Sequence, residues 1–537
     1  MKFGPCAVEE AEGAILAHAV RTSAGVLKKG HVLNADDIFL LKDGRLRSVI
    51  AARLEPDDVP EDAAASRIAA ALAGAGARVG AAFTGRANLY ATADGLAIID
   101  GSLVNSLNAI DESITVATLP EFAHVGSRQM LATVKIIPFA APKLAVEQAE
   151  RLLRDKSAVS LAPFRPRQVA LILTLLPGTR PSLMEKTRSA IAARVRGVGS
   201  DLVFERQVEH TAGALMPALS EAAREADLIL VFGASAITDR RDVIPAAIEQ
   251  AGGEVVRFGM PVDPGNLLLL GRLGDADVIG LPGCARSPKL NGFDFVLWRL
   301  AAGLPIGQRQ IAGMGVGGLL SEIPVRPQPR DEPLKDVPRA PNIAAIVLAA
   351  GASSRMGSNK LLAEIDGSPM VRQVVQPASA SAADRVIVVT GRDSEKVRVA
   401  LAGMDVTFVD NAEYRSGLSS SLKRGLAAVP QDCDGALILL GDMPGVTAPL
   451  IDKLIAAFNP VEGRAICVAT RHGKRGNPVL FARRFFAEIS AIEGDVGAKG
   501  LLGSYPELVC DVEADDDAPL IDIDTPEALA AYRERKT

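Results

Sequence analysis

A chain of 537 residues with a formal net charge of −5, 48% apolar and 4% aromatic, can bury several separate cores and offers no basic face for nucleic acid. Five scattered cysteines (Cys6, Cys284, Cys433, Cys467 and Cys510) include no CxxC pair, which argues against a zinc or iron–sulfur site and for a reduced, cytoplasmic protein. The sequence shows neither a signal-peptide pattern nor an uncharged apolar run able to span a bilayer, so no membrane partner is expected.

Residues 1–165 carry short strand-like pieces, the Gly-rich ALAGAGARVG and the run DGLAIIDGSLVNSLNAI, and are expected to form a mixed, β-rich region. His18 and His31 read as surface or packing residues. From residue 166 to 320 an α/β alternation begins. QVALILTLL is a strand, SLMEKTRSAIAARV and ALMPALSEAAREA are helices, and DLILVFGAS is a strand. GNLLLLGRLGDADVIGLPG reads as two strands around a Gly-Asp turn, and Trp298 in FDFVLWRLAAGL as helix core. One strand ends in Gly233-Ala234-Ser235, followed by Asp239 and Asp242; another ends at Leu281-Pro282-Gly283. This pair of loops resembles the molybdopterin-binding domain shared by molybdenumtransferases, in which GGxSxGxxD and PGNP loops frame the pterin phosphate. The resemblance implies pterin contacts from Gly233, Ser235, Asp239, Asp242, Pro282 and Gly283. Here Ala234 replaces the second Gly and Cys284-Ala285 replace the Asn-Pro, so pterin binding is the expectation rather than molybdate insertion. EGAILAHAV and LKKGHVLNADDIFLL, within residues 1–165, resemble the flanking part of the same enzymes.

Residues 321–341 are rich in proline and charge and cannot bury a face; they are expected to be an extended tether. Beyond it, residues 342–537 alternate strands (IAAIVLAA, RVIVVTG, MDVTFVD, GALILLGD, AICVAT) with helical stretches such as SEKVRVALAG and SSSLKRGLAAV. That pattern implies a mostly parallel, Rossmann-like sheet whose ligands gather beyond the carboxyl ends of its strands.

The first strand runs into GASSRMGSNK. Small residues allow close backbone approach, backbone N–H groups can form an anion nest, and Arg355 and Lys360 are placed to meet phosphates. The spacing is not that of a P-loop. A second strand ends in Gly441-Asp442-Met443-Pro444, where one carboxylate can hold Mg²⁺ or, in the plainer reading, cap the helix that starts near Val446. Late in the chain Asp522 and Asp524 alternate in IDID, read as a short strand pointing the two acids to opposite faces, with Thr525-Pro526 opening the last helix.

LAAGxSxRMGxxK, GDMP and DIDTPExL together resemble the nucleotidyltransferase superfamily, and more narrowly the molybdenum cofactor cytidylyltransferases. NAEYRSGLSSSLKRGL resembles the segment that packs on the nucleotide; RGNPVLF and GDVGAKGLL resemble the substrate side, with Asn477 where the family often has His. The resemblance implies catalytic roles for Arg355, Lys360 and Asp442. It implies nucleotide contacts from Leu348, Ala349, Ala350, Gly351, Ser353, Ser354, Ser419, Ser421 and Gly441, a Mg²⁺ site at Asp442 and Asp524, and further pterin contacts at Asn477 and Pro478. LAAG, against LAGG in guanylyl relatives, favours CTP. The implied reaction is transfer of CMP from CTP to Mo-molybdopterin. Guanylyl or sugar-phosphate transfer, and a non-catalytic carrier for an apo molybdenum hydroxylase, are the alternatives. A homo-oligomer is compatible with the resemblance.

Overall fold

Uninterrupted aliphatic runs build the centres of two large sheets. The computed structural model describes residues 1–320, 339–351, 359–492 and 498–536. In the C-terminal part a seven-stranded sheet has the order Thr407–Asp410, Arg385–Thr390, Ile343–Ala349, Gly435–Leu440, Lys474–Ala482, Ile466–Arg471, Val509–Glu513. The first four strands are mutually parallel, and Lys474–Ala482 runs antiparallel to both of its neighbours. All seven residues of Ile343–Ala349 are buried, as a strand covered on both faces requires. The cover comes from helices with an apolar stripe at helical spacing: Val371, Val374, Val375 and Ala378 on Met370–Ala380, and Leu450, Ile451, Leu454 and Ile455 on Ala448–Ala457.

Residues 168–281 form a six-stranded sheet, ordered Asp201–Glu209, Gln168–Leu175, Leu228–Phe232, Ala276–Leu281, Leu269–Leu273, Glu254–Phe258. Its first four strands are parallel and it has a core on each face. The Gly-Asp turn joins its last long hairpin, with Gly274 at φ +59° supplying the left-handed conformation. Trp298 lies on helix Gly292–Ala301 and is only partly buried; its ring packs 4.8 Å from that of His124.

The N-terminal 165 residues hold two cores rather than one. Val8, Leu16, Leu33, Leu41 and Val49 pack together, and a second core gathers residues 64–161 around helices Glu61–Leu72 and Lys143–Leu153. Fourteen short strands and four α-helices make it a mixed region in which strands predominate. His18 is exposed, and His31 Nε2 lies 2.7 Å from Asp37 Oδ2.

The tether expected at 321–341 lies outside the described residues except for Arg339–Pro341, which are pinned between domains. Arg339 grips Asp434 with two bonds of 2.9 and 2.8 Å. Arg128 donates to the carbonyls of Ala340 and Pro341 and pairs with Asp384. Lys28 reaches Asp511 Oδ2 at 2.9 Å. Among the described residues no helix is long and apolar enough to cross a membrane.

Candidate active site

The carboxyl rim of the seven-stranded sheet collects the chemistry-bearing residues. Strand Ile343–Ala349 delivers Ala350 and Gly351 there, with Leu348, Ala349 and Ala350 buried and Gly351 exposed. Ser353, Ser354 and Arg355 lie outside the described residues. The chain returns at Asn359, whose side chain accepts from Leu361 N (3.1 Å) and caps a single 3-10 turn, Lys360–Leu362. That cap aims Lys360 inward.

Lys360 Nζ sits 2.5 Å from Asp442 Oδ2 and 2.5 Å from Asp524 Oδ1. Burial alone would lower the Lys360 pKa, but the charge of Asp442 and the hydrogen bonds to both acids outweigh it, and the pKa is raised. The group is therefore a fixed cation between two carboxylates. Asp442 Oδ1 is buried and has no hydrogen-bond partner among the described residues. An orphaned carboxylate oxygen beside a second carboxylate suits a hard cation that takes oxygen ligands and keeps its other positions for water or phosphate.

The plainer reading of Asp442 fails, because the following helix, Ala448–Ala457, has Thr447 at its N-cap position. The strand expected at Asp522–Asp524 does not form. Residues 521–524 are extended without a ladder, and Ile523 N donates instead to Asp442 O (3.0 Å). That one bond ties the two acids together. Asp522 is exposed and Ile523 buried, and Asp524 turns to Lys360. Thr525 Oγ1, not Asp524, caps the closing helix by accepting from Ala528 N (3.2 Å).

Gly441 is required by close packing: a Cβ there would meet Leu348 O at 2.9 Å. Gly476 faces a still tighter approach, 2.0 Å to Pro519 O, where the strand Lys474–Ala482 crosses the turn that leads to Asp524. Ile438 pairs with Val479, so Pro478 and Asn477 lie one and two residues further toward the same rim.

Ser419 and Ser421 are both buried in the first turn of helix Leu418–Ala427; Ser419 lines a hollow of about 490 Å³ with Lys423 and Arg424. Ser421 Oγ accepts from Asn411 Nδ2 (3.0 Å), a buried partner that motif reading missed. Asp410, also missed, ends its strand and accepts from Ser394 Oγ (2.6 Å), Thr390 Oγ1 (2.5 Å) and Arg398 Nη2 (2.8 Å), bonds that hold its pKa low. The segment 494–502 is described only from Ala498.

In the middle domain the two expected loops follow adjacent parallel strands and so meet at one rim. Gly233 leaves no room for a Cβ, which would lie 2.7 Å from Ser235 O, while Gly283 faces open space. Asp242 caps helix Val243–Gln250 through Val243 N (2.8 Å), and Asp239 turns onto Arg241 (2.8 Å). Both acids are thus engaged locally. Thr174 and His210, absent from the sequence reading, brace the loop: Thr174 Oγ1 takes Ala234 N at 2.9 Å and lies 2.8 Å from His210 Nδ1. Arg286 adds a cation over the Phe232 ring. Cys284 is partly buried.

Residues 345–509 match the family of MobA-like NTP transferase domains. Residues 345–509 are a MobA-like NTP transferase domain. Residues 174–301 match the probable molybdopterin binding domain, and residues 5–53 match a domain of unknown function. The chain is 28% identical over 197 residues to nicotine blue oxidoreductase of Paenarthrobacter nicotinovorans, covering 35% of this chain and 95% of that protein. It is 29% identical over 207 residues to the purine catabolism protein PucB of Bacillus subtilis, covering 36% and 98%. Bifunctional protein GlmU of Chromobacterium violaceum is 35% identical over 115 residues, and the chain spans 25% of that protein's length. The crystal structure of Rv0371c from Mycobacterium tuberculosis matches at 29% identity and a TM-score of 0.33, covering 36% of this chain and 99% of that one.

Proposed function

We propose that the chain matures a molybdenum cofactor by transferring CMP from CTP to the terminal phosphate of Mo-molybdopterin, with release of pyrophosphate. The observation that carries this reading is Lys360 held 2.5 Å from both Asp442 and Asp524 at the carboxyl rim of a MobA-like NTP transferase domain. The association of that domain with a molybdopterin-binding domain supports the choice of acceptor.

Asp442 and Asp524 would hold Mg²⁺, which would supply neutralisation of the phosphate charge. Lys360 leaves its two carboxylates for the triphosphate and meets the charge that builds on the α-phosphoryl oxygens. Arg355 and the small residues of the loop, Ser353 and Ser354 among them, bind the β- and γ-phosphates. An acceptor phosphate oxygen forms the new bond to the α-phosphorus as the bond to the bridging oxygen breaks, and pyrophosphate carries away the electron pair. The acceptor is already anionic, so positioning rather than a strong base does the work. The choice of CTP rests on Ala350 in LAAG, where guanylyl relatives have LAGG. The loops at Gly233 and Gly283, with Ser235 and Pro282, would hold the pterin phosphate, and Asn477 and Pro478 would present it at the transferase rim.

The test is incubation with molybdopterin and Mg²⁺ and each of CTP, GTP and UTP, with pyrophosphate and the dinucleotide product measured by mass. CTP should give product and Asp442→Asn should abolish it. Undiminished CMP transfer by that variant defeats the proposal.

A further inference from the structure

A cleft of about 660 Å³ opens between the second N-terminal domain and the transferase domain. It is well within the size range of small-molecule sites. It lies far from the Lys360 rim. Its transferase wall comprises Ala340, Pro341, Ala382, Asp434 and residues 455–464, beside the amino ends of the parallel strands that start at Ile343, Arg385 and Gly435. The active-site acids follow the opposite ends.

The N-terminal wall is one face of a sheet. Strand Arg86–Ala91 alternates, burying Ala87, Leu89 and Ala91 and presenting Arg86, Asn88 and Tyr90 to the cleft. Its neighbour, Met130–Ile136, places Lys135 directly opposite Arg86 and Thr133 directly opposite Asn88. Two cations facing one another across a ladder repel, and such pairs destabilise a sheet unless an anion lies between them. Arg86 has no ion pair or hydrogen bond from its side chain among the described residues, while Lys135 donates to Thr84 O (2.7 Å) and has Glu61 at 3.9 Å, which leaves part of its charge toward the cleft. On the transferase wall Arg339 pairs with Asp434 and Arg464 with Glu462, and Asp452 accepts from Ala382 N (2.6 Å).

Beside the cations are unmet polar atoms. Asn88 donates its amide to Tyr90 Oη (3.1 Å), which leaves Asn88 Oδ1 as an acceptor, buried and without a partner. Thr133 Oγ1 across the ladder is buried and unpartnered among the described residues as well. Arg78 stands over the Tyr90 ring, 5.9 Å from its centre, at the far end of the same face. Native structures rarely leave neighbouring buried groups unmet without a ligand or water to satisfy them.

We infer that this cleft binds a phosphate-bearing planar heterocycle, its phosphate between Arg86 and Lys135 and its ring, through N–H groups, on Asn88 and Tyr90. A pterin phosphate and a nucleotide share that chemistry. The full chain is mixed with a pterin monophosphate, with CMP or with inorganic phosphate, and amide hydrogen exchange is followed in Arg86–Ala91 and Met130–Ile136. One heterocyclic phosphate should protect these strands, with apparent affinity weakened about tenfold by Arg86→Ala and by Lys135→Gln, and inorganic phosphate should protect at least about tenfold more weakly. Arg86 is exposed, so its replacement tests binding without threatening the fold. CMP transfer at the distant rim should be unchanged in both variants. Absence of protection by either heterocycle, protection unaltered by the two substitutions, or inorganic phosphate as effective as the heterocycles overturns the inference.

Discussion

Lys360 is the residue on which the chemistry turns. It holds apart two acids that a metal would draw together. Replacing it by Met should cut CMP transfer by about 10²- to 10³-fold, the scale of losing one transition-state donor. The same change should tighten Mn²⁺ binding to the nucleotide-free protein, since the competing cation is gone. Turnover and a Mn²⁺ titration read the two effects separately, and a purely structural lysine would not give the second. The raised pKa of Lys360 has a definite sign. Its stabilisation is complete below the unfolded value of about 10.4 and is lost as pH rises through the higher folded value. The difference in Tm between the protein and Lys360→Met should therefore stay constant to about pH 10 and shrink above it. At neutral pH the corresponding loss of unfolding free energy should be about 1–2 kcal/mol, discounted because Asp524 is 43% exposed. Lys360 and Asp442 were legible because each follows a strand whose pattern is unmistakable. Asn411 and Thr174 were not, since a single polar residue carries no periodicity to announce its partner.

Elements differ in how plainly they declare themselves. Ile343–Ala349 and Gly435–Leu440 are continuous aliphatic runs, and both appear where expected. IDID failed as a strand because alternation alone does not provide a neighbour. With the preceding turn at Ala518–Leu520 wedged over Gly476, its backbone bonds to Asp442 rather than to a ladder. This makes Gly476 a positioning residue for Asp524. Gly476→Ala would press a methyl into Pro519 O and force the turn outward. We expect a loss of about 1–3 kcal/mol by denaturant titration, the usual cost of overpacking, together with weaker Mn²⁺ binding. Gly473→Ala, where nothing lies within 4 Å but φ is +73°, is the control: it should cost about 1 kcal/mol of backbone strain and leave metal binding intact. Equal effects of the two on the metal would refute the wedge.

At the scale of the whole molecule, the order of domains was readable from changes of pattern along the chain, but the contacts between them were not. They join residues hundreds of positions apart with no local signature, as Lys28 with Asp511 or Arg128 with Asp384. Burial distinguishes these two ties. The Lys28 and Asp511 side chains are 54% and 30% exposed, whereas Arg128 and Asp384 are 25% and 22% exposed. Arg128 also holds the carbonyls of Ala340 and Pro341, where the transferase domain begins. Arg128→Ala strips a partner from Asp384 and from both carbonyls at once, so it should weaken the interface by about 2–3 kcal/mol. Lys28→Ala should cost under about 1 kcal/mol, as solvated pairs do. Scanning calorimetry should then resolve the unfolding of residues 58–163 from that of the transferase domain in the Arg128 variant and leave the trace of the Lys28 variant unchanged. If instead Lys28→Ala separates the transitions and Arg128→Ala does not, the domains are held through the first N-terminal core rather than the second.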